Sequence, residues 1–510
     1  MKKSLLIWGL LCFAGSVYAQ PIGVGRWTVV NTNNPNTFDT YAVDDIHAVS
    51  ANVAWGLTYD ATVPSPVPAG FRFQDKSFIR TNNAAGTEFD FNSLSDNIPA
   101  DADFEAANIN GIDNQIAVAA MFNGTAAGGG KIYRTANGGQ TWASVSGRGF
   151  AGPGGFNNWV HMFDANEGVA FGDPNIDANT SVAYFEILRT TNGGQMWTRT
   201  PSSSVPARNV GEAGLVRSYF ALSGTNTIWA GTGNQDQPNS LLRILKSTDR
   251  GVTWTAYPTP LTGQINHIAF KDALNGIAFN TQAGAAGSPG TINVIRTSNG
   301  GLTWSAITPI TATTGKFYAT DIDAVPATAS VPGFYVSSGI SAVPGAASIS
   351  NDALGSSTSI DGVTWKDIDN AILVSATRRR VYLCMDVISN TAGYAGGYFE
   401  QGTGAGGVYK VNPVTPLPTR AAALTDKVAL TAFPNPSTGL FQVQMEGGVK
   451  MVTQLTVTDA LGRQVYSRQL SPSTASSEAI SVDLTKEKAG VYIMELRNEA
   501  GISQKKVVVQ

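Results

Sequence analysis

Apolar and polar residues alternate along this chain in short runs, and no stretch keeps a helical period for long. "WVHMFDANEGVAFG" (159–172) and "INHIAFKDALNGIAF" (265–279) show the unit, two apolar runs parted by a few turn-forming residues. Side chains of a strand point alternately to its two faces, so such runs read as half-buried strands in a hairpin. The 55 Gly and 24 Pro among 510 residues supply the bends. The expected class is all-β, with many short strands joined by tight turns.

After each hairpin comes a third apolar run, ending in a basic residue and then a box of turn formers. The fullest box is Ser247-Thr248-Asp249-Arg250-Gly251-Val252-Thr253-Trp254. Close copies span 135–142, 190–197 and 297–304; a shortened copy spans 359–365, and a worn one, "TNNAAGTEF", spans 81–89. The Asx residue (Asn137, Asn192, Asp249, Asn299, Asp361) suits a side-chain bond to backbone N–H groups just ahead of it. The glycine (Gly139, Gly194, Gly251, Gly301, Gly362) permits the positive φ of a tight bend. The tryptophan (Trp142, Trp197, Trp254, Trp304, Trp365) opens the next strand and buries its ring, worth about 2–3 kcal/mol. These aromatics, with Phe89 in the worn copy, recur at a step of roughly 50–60 residues, which suits a four-stranded propeller blade.

On these boxes residues 21–412 resemble the Asp-box (BNR) propeller family, whose motif reads Ser/Thr-x-Asp-x-Gly-x-Thr-Trp. The resemblance implies boxes at the outer rim of the blades, as a staple of the fold and not a catalytic device. In repeat style the chain is also similar to the photosystem II assembly factor group, with no photosynthetic role implied. A last apolar pair, "RVYLCMDVISNTAGYAGGYFE" and "GGVYKVN", has no box after it, while "GRWTVVN" (25–31) reads like the strand that follows a box. The N-terminal strand is therefore expected to complete the last blade and close the ring. That gives seven blades, with six or eight as the alternatives left by the worn copies.

The chain begins "MKKSLLIWGLLCFAGSVYAQ": Lys2 and Lys3, an apolar stretch from Leu5 to Ala14, and Val17-Tyr18-Ala19 before Gln20. This is an export signal over 1–19. Leu11 before Cys12 argues against a lipoprotein site. Without the signal Cys384 is the one cysteine left, so no internal disulfide is expected, and no later segment is apolar enough to span a membrane. The expected propeller occupies 20–412 and a Pro-rich linker 413–427. Beyond it, 428–510 alternates as a small β-sandwich would. Pro434-Asn435-Pro436 with Gly439, Asp459 to Gly462-Arg463, Ala489 to Tyr492 and Lys505 to Val508 closely resemble a Type IX secretion sorting domain of Bacteroidetes-type bacteria. That implies passage through the periplasm to the outside or the outer surface, with the Type IX machinery as partner.

Catalytic and metal signatures are weak. "GTAAGGGKI" lacks the Ser/Thr and helix of a phosphate loop, and "DPNIDAN" lacks the Gly and Glu of a calcium loop. The Arg-Ile-Pro signature of sialidases is absent, and nothing in the spacing of the 37 acids picks out a hydrolase pair. The three histidines, His47, His161 and His267, would have to converge from three blades to bind a metal; no metal and no cofactor is expected. With a net charge of −3, no nucleic-acid partner is expected. One pattern suggests a site. Arg217 with Tyr219, Lys316 with Tyr318, and Arg380 with Tyr382 are expected to open the first strands of their blades, with Trp159 and His161 nearby. Together they would form a cationic, Tyr-lined channel mouth for an anionic glycan or protein ligand. The expected function is a secreted or surface-held, non-catalytic binding propeller. The alternative is a glycoside hydrolase, sialidase-like or xyloglucanase-like.

Overall fold

The computed structural model describes residues 27–411 and 429–510, apart from 33–40, 61–76, 82, 91–103, 124–127, 148, 152–154, 177–181, 235, 283–289, 309–314, 330, 342–352, 371–378, 401–405, 447–452, 460–462, 471–478 and 499–500. The expected export signal and Pro-rich linker lie outside the described residues. Backbone contacts gather Pro21–Thr415 into one compact unit and Pro416–Gln510 into another. Among the described residues both are built of strands, with a single turn of 3-10 helix at Ser202–Ser204.

Among the described residues of the larger unit seven sheets follow one another along the chain, antiparallel except where Asn31–Thr32 pairs parallel with Glu88–Asp90 in the first. Sheets 1 to 7 begin with the strands Tyr41–Ala48, Phe104–Gly111, Asn157–Met162, Glu212–Ala221, His267–Phe270, Asp321–Val325 and Arg379–Ser389. Each first strand packs against the first strand of the next sheet, and that of sheet 7 packs against that of sheet 1. The cycle of contacts is closed, so the unit is a β-propeller with the first strands at its hub. Sheet 7 takes its fourth strand from the other end of the chain: Trp27–Val29 pairs with Gly406–Val411, Trp27 opposite Val411. The ring thus closes through backbone hydrogen bonds, as the likeness of "GRWTVVN" to a post-box strand suggests.

The boxes fold as their residue types require. In the fullest one, Ser247 Oγ accepts the N–H of Gly251 at 2.8 Å and Asp249 Oδ1 accepts that of Thr253 at 2.9 Å. Gly251 sits at φ +82°, and a Cβ there would come within 2.8 Å of Val169 in the preceding sheet. The worn copy does the same with other residues, since Asn83 Oδ1 accepts the Thr87 N–H at 2.9 Å. The basic residue before a box reaches the box of the next sheet: Arg134 Nε donates to Gly193 O, Arg189 Nε to Arg250 O, and Lys246 Nζ to Gly300 O.

Each junction between sheets holds one box aromatic. Trp142 joins Trp55 and Phe78 between sheets 1 and 2. Trp197, Trp254, Trp304 and Trp365 fill the next four junctions in turn. Trp27, from the N-terminal strand, takes that place between sheets 6 and 7, and Phe89 between 7 and 1. The staple therefore works twice, once through its own turn and once through the ring it inserts against the neighbour.

The smaller unit has a three-stranded sheet, Ala429–Phe433, Leu440–Glu446 and Ile480–Asp483, and a four-stranded one formed by Thr453–Asp459, Gln464–Leu470, Gly490–Asn498 and Gly501–Val509. Phe441, Val443, Leu455, Val457, Met494 and Val507 fill its core. Its motif residues hold turns and ends together. Asn435 Oδ1 accepts the Val508 N–H, and the Asp459 carboxylate accepts from the N–H and Nε of Arg463.

Trp27→Ala should cost about 3–5 kcal/mol of unfolding free energy, as Trp254→Ala should, because each empties a junction. Urea unfolding measures both. A Trp27→Ala protein as stable as the wild type would show that the wheel does not need its N-terminal strand.

Candidate functional site

The first strand of every sheet is an edge strand, and its outward N–H groups have no strand partner. At several junctions side chains of the preceding sheet supply one. From sheet 1, Asp45 Oδ2 accepts the Ile109 N–H at 2.8 Å and His47 Nδ1 accepts the Gly111 N–H at 3.1 Å. From sheet 2, Asn108 and Asn110 accept from Val160 and Met162. From sheet 6, Asp321 and Asp323 accept from Met385 and Val387, and from sheet 7, Asp386 accepts from Ala48. The donors and acceptors sit two residues apart because that is the strand period.

These strands enclose a hub cavity of about 970 Å³. Asp44, Asp45, Asp321, Asp323 and Asp386 line it, with His47, His161, His267, Tyr219, Phe163, Cys384 and Arg217. His267 Nδ1 lies 3.0 Å from Asp321 Oδ1, and His47 Nε2 lies 3.9 Å from Asp386 Oδ2. His161 stands edge-on to the Phe163 ring, with centroids 4.9 Å apart. Since His47 Nδ1 accepts a hydrogen bond, that ring is neutral with its proton on Nε2. All three histidines reach the cavity, yet each has a different neighbour, and among the described residues no cluster of His, Cys, Asp or Glu could hold a metal ion.

Among the described residues the cationic patch expected from the sequence comes together only in part. Arg217 and Tyr219 line the cavity with His161, but Lys316, Tyr318, Tyr382 and Trp159 do not. Lys316 and Tyr318 precede the first strand of sheet 6, and Tyr318 is fully buried. Tyr382 packs against Trp27 and Tyr409, and Trp159 is stacked between Phe171 and Tyr219. The Arg380 side chain lies outside the described residues. Arg217 does not open its strand: it sits mid-strand, where the register slips between Gly214 and Tyr219, and its guanidinium bonds the Asp44 carboxylate at 2.9 Å and the Asp44 carbonyl. The basic-x-Tyr spacing misled because a bulge and a preceding loop break the alternation it assumed. A better signal was available in "DIH", "NIN" and "DID", polar residues flanking one apolar residue inside a first strand, and in the three histidines, each in such a strand.

Crowded carboxylates inside a recess repel their own charge. Burial raises the Asp45 carboxyl to about 7, against the pull of Arg217 and of the Ile109 N–H. Burial likewise takes Asp386 to about 7, and Asp323 lies well above the usual range through burial and the Asp386 charge. The same burial lowers His47 to about 4 and His161 to about 3. Burial pulls the Arg217 guanidinium down, but Asp44 and Asp45 outweigh it and hold it above its ordinary value.

Residues 431–510 match the family model described as the secretion system C-terminal sorting domain. The protein is exported, to the outside or to the cell surface. No helix among the described residues of this exported propeller is long and apolar enough to cross a membrane. No curated protein matches the chain. Among solved structures it is similar to YCF48 bound to D1 peptide, at 11% identity and TM-score 0.44, covering 78% of this chain and 99% of that one. It is also similar to the GH74 enzyme of Niastella koreensis, at 13% identity and TM-score 0.37, covering 95% and 73%. A PL25 ulvan lyase matches at 11% identity and TM-score 0.42, covering 76% and 96%. These proteins include enzymes and a peptide binder, and likeness at this level says nothing of ligand or activity here.

Asp45 keeps its proton up to about pH 7 when folded, against a usual carboxyl value of 3.8. Folding therefore takes up protons between these values. Stability from this group is complete below the lower value and is lost as pH rises through the upper one. Asp45→Asn keeps an acceptor for Ile109, as Asn108 does for Val160. It should melt above the wild type at pH 8, by an amount worth ~2 kcal/mol after screening, with the gap closing by pH 4. A gap that ignores pH would show that ionisation of Asp45 is not its cause.

Proposed function

We propose that this protein is an exported, non-catalytic binding propeller whose ligand enters the hub cavity. One observation carries the reading: Asp45, His47, Asp321 and Asp323 of the cavity are committed to the backbone of neighbouring sheets, which fixes the shape of a pocket while leaving its polar faces in place. Such a pocket is preformed, as ligand sites usually are. The ligand is a protein or a glycan. An anionic one is disfavoured, because Arg217 is the one Lys or Arg among the described residues of the lining and Asp44 already holds it.

A glycoside hydrolase is the second reading, and the carboxyls of Asp45 and Asp386, held at about 7, favour it, since a general acid needs a proton at neutral pH. The two readings part in a simple assay. The purified chain should retain ligands from a panel of extracellular glycans and peptides without releasing reducing sugar, and Tyr219→Ala, at the cavity wall, should lose that retention. Sugar release abolished by Asp386→Asn would put the hydrolase in its place. For export, a chain ending before residue 429 should accumulate in the periplasm while the full chain reaches the medium or outer surface, as fractionation and blotting would read.

A further inference from the structure

We propose that the Arg217–Asp44 pair is an internal latch across the hub, opened by a Lys or Arg side chain of a protein partner that takes Asp44 in place of Arg217. The inference rests on the hub being the binding site. The hub's side-chain-to-backbone joints link adjacent sheets, whereas Arg217 reaches from sheet 4 to sheet 1, on the far side of the ring. The chain is shaped for this reach. Its register slips between Gly214 and Tyr219, and Arg217 takes φ +60°, in the left-handed region that a residue with a side chain seldom occupies. Ser218 next to it is tied to sheet 5 through Ile265 O. A conformation of this kind persists where the surroundings dictate it.

The latch is also exchangeable. The Arg217 side chain keeps 26% of its exposure and that of Asp44 36%, both on the cavity wall. The Arg243–Glu212 pair in the same sheet differs, with Glu212 at 2% exposure. Both partners face the cavity, so a competitor of the same chemistry can reach Asp44. The competitor's charge follows from the wall. An anion would have to displace Asp44 and then sit beside Asp45, Asp321 and Asp386, whereas a guanidinium or ammonium replaces like with like.

The test uses the full chain without its signal, with acetyl-Gly-Arg-Gly-amide and acetyl-Gly-Glu-Gly-amide as probes in titration calorimetry, and thermal melts to establish that each variant is folded. Arg217→Met should bind the arginine peptide about tenfold more tightly than the wild type, because the occupant is gone and its carboxylates remain. Arg217→Lys should match the wild type, and Asp44→Asn should bind neither peptide. Equal binding by wild type and Arg217→Met, no binding by Arg217→Met, or preference for the glutamate peptide would each overturn the latch. A panel ligand lost on Tyr219→Ala but indifferent to Arg217→Met and Asp44→Asn would remove the latch and leave the hub as the binding site. A ligand indifferent to all three would remove both.

Discussion

An edge strand facing a neighbour it cannot pair with must find partners for its outward N–H groups, and the hub follows from how this chain does so. A propeller turns its sheets on edge around an axis, so each first strand is such an edge. Water would satisfy those groups but would part the sheets. Asp45, His47, Asn108, Asn110, Asp321, Asp323 and Asp386 satisfy them instead, each from the sheet before. Because the bonds run from one sheet to the next, every joint orients its successor. Farther from the axis the box aromatics fill the same junctions with apolar surface, so that polar joints and apolar joints divide each interface between them.

The choice of acceptor decides the electrostatics. Between sheets 2 and 3 the acceptors are amides and carry no charge. Around the closure of the ring, from sheet 6 to sheet 2, they are mainly carboxylates, and burial, with their mutual repulsion second to it, lifts several of them above the usual carboxyl range. A wheel held only by amides would be steadier. Carboxyl groups in those places instead give the cavity an excess of polar oxygens whose charge varies around neutral pH, which joints alone would not need. Stability and selectivity therefore pull the same residues in different directions.

Much of the fold could be read from the chain because its signals are local. Asn or Asp, Gly and Trp at fixed offsets specify a turn whatever surrounds them, and even the worn copy keeps Asn83 and Phe89 in place. The strand "GRWTVVN" betrayed the ring closure through its resemblance to strands that follow a box. The site was less legible. Its residues come together only when seven first strands meet, and pairing a base with a tyrosine two positions on assumes unbroken alternation. Arg217 lies at a bulge and Lys316 in a loop, so the assumption fails at both. The hub acids were passed over because an Asp inside a strand looks like an ordinary solvated position until a neighbouring backbone is shown to need it.

A raised carboxyl pKa in such a cavity does not by itself signify an acid catalyst. Desolvation is the leading cause at Asp45, Asp386 and Asp323, and it would act on any carboxyl placed there to hold a neighbouring strand. A catalytic acid must also stand within hydrogen-bond reach of the substrate atom it protonates. At each of these aspartates one oxygen is anchored at 2.6–2.8 Å to the N–H of the next sheet, and moving it would unfasten a joint. At Asp45 and Asp386 the second oxygen is left to face the cavity. The raised values therefore follow from the structural place of these acids at the joints, whatever their second oxygens do.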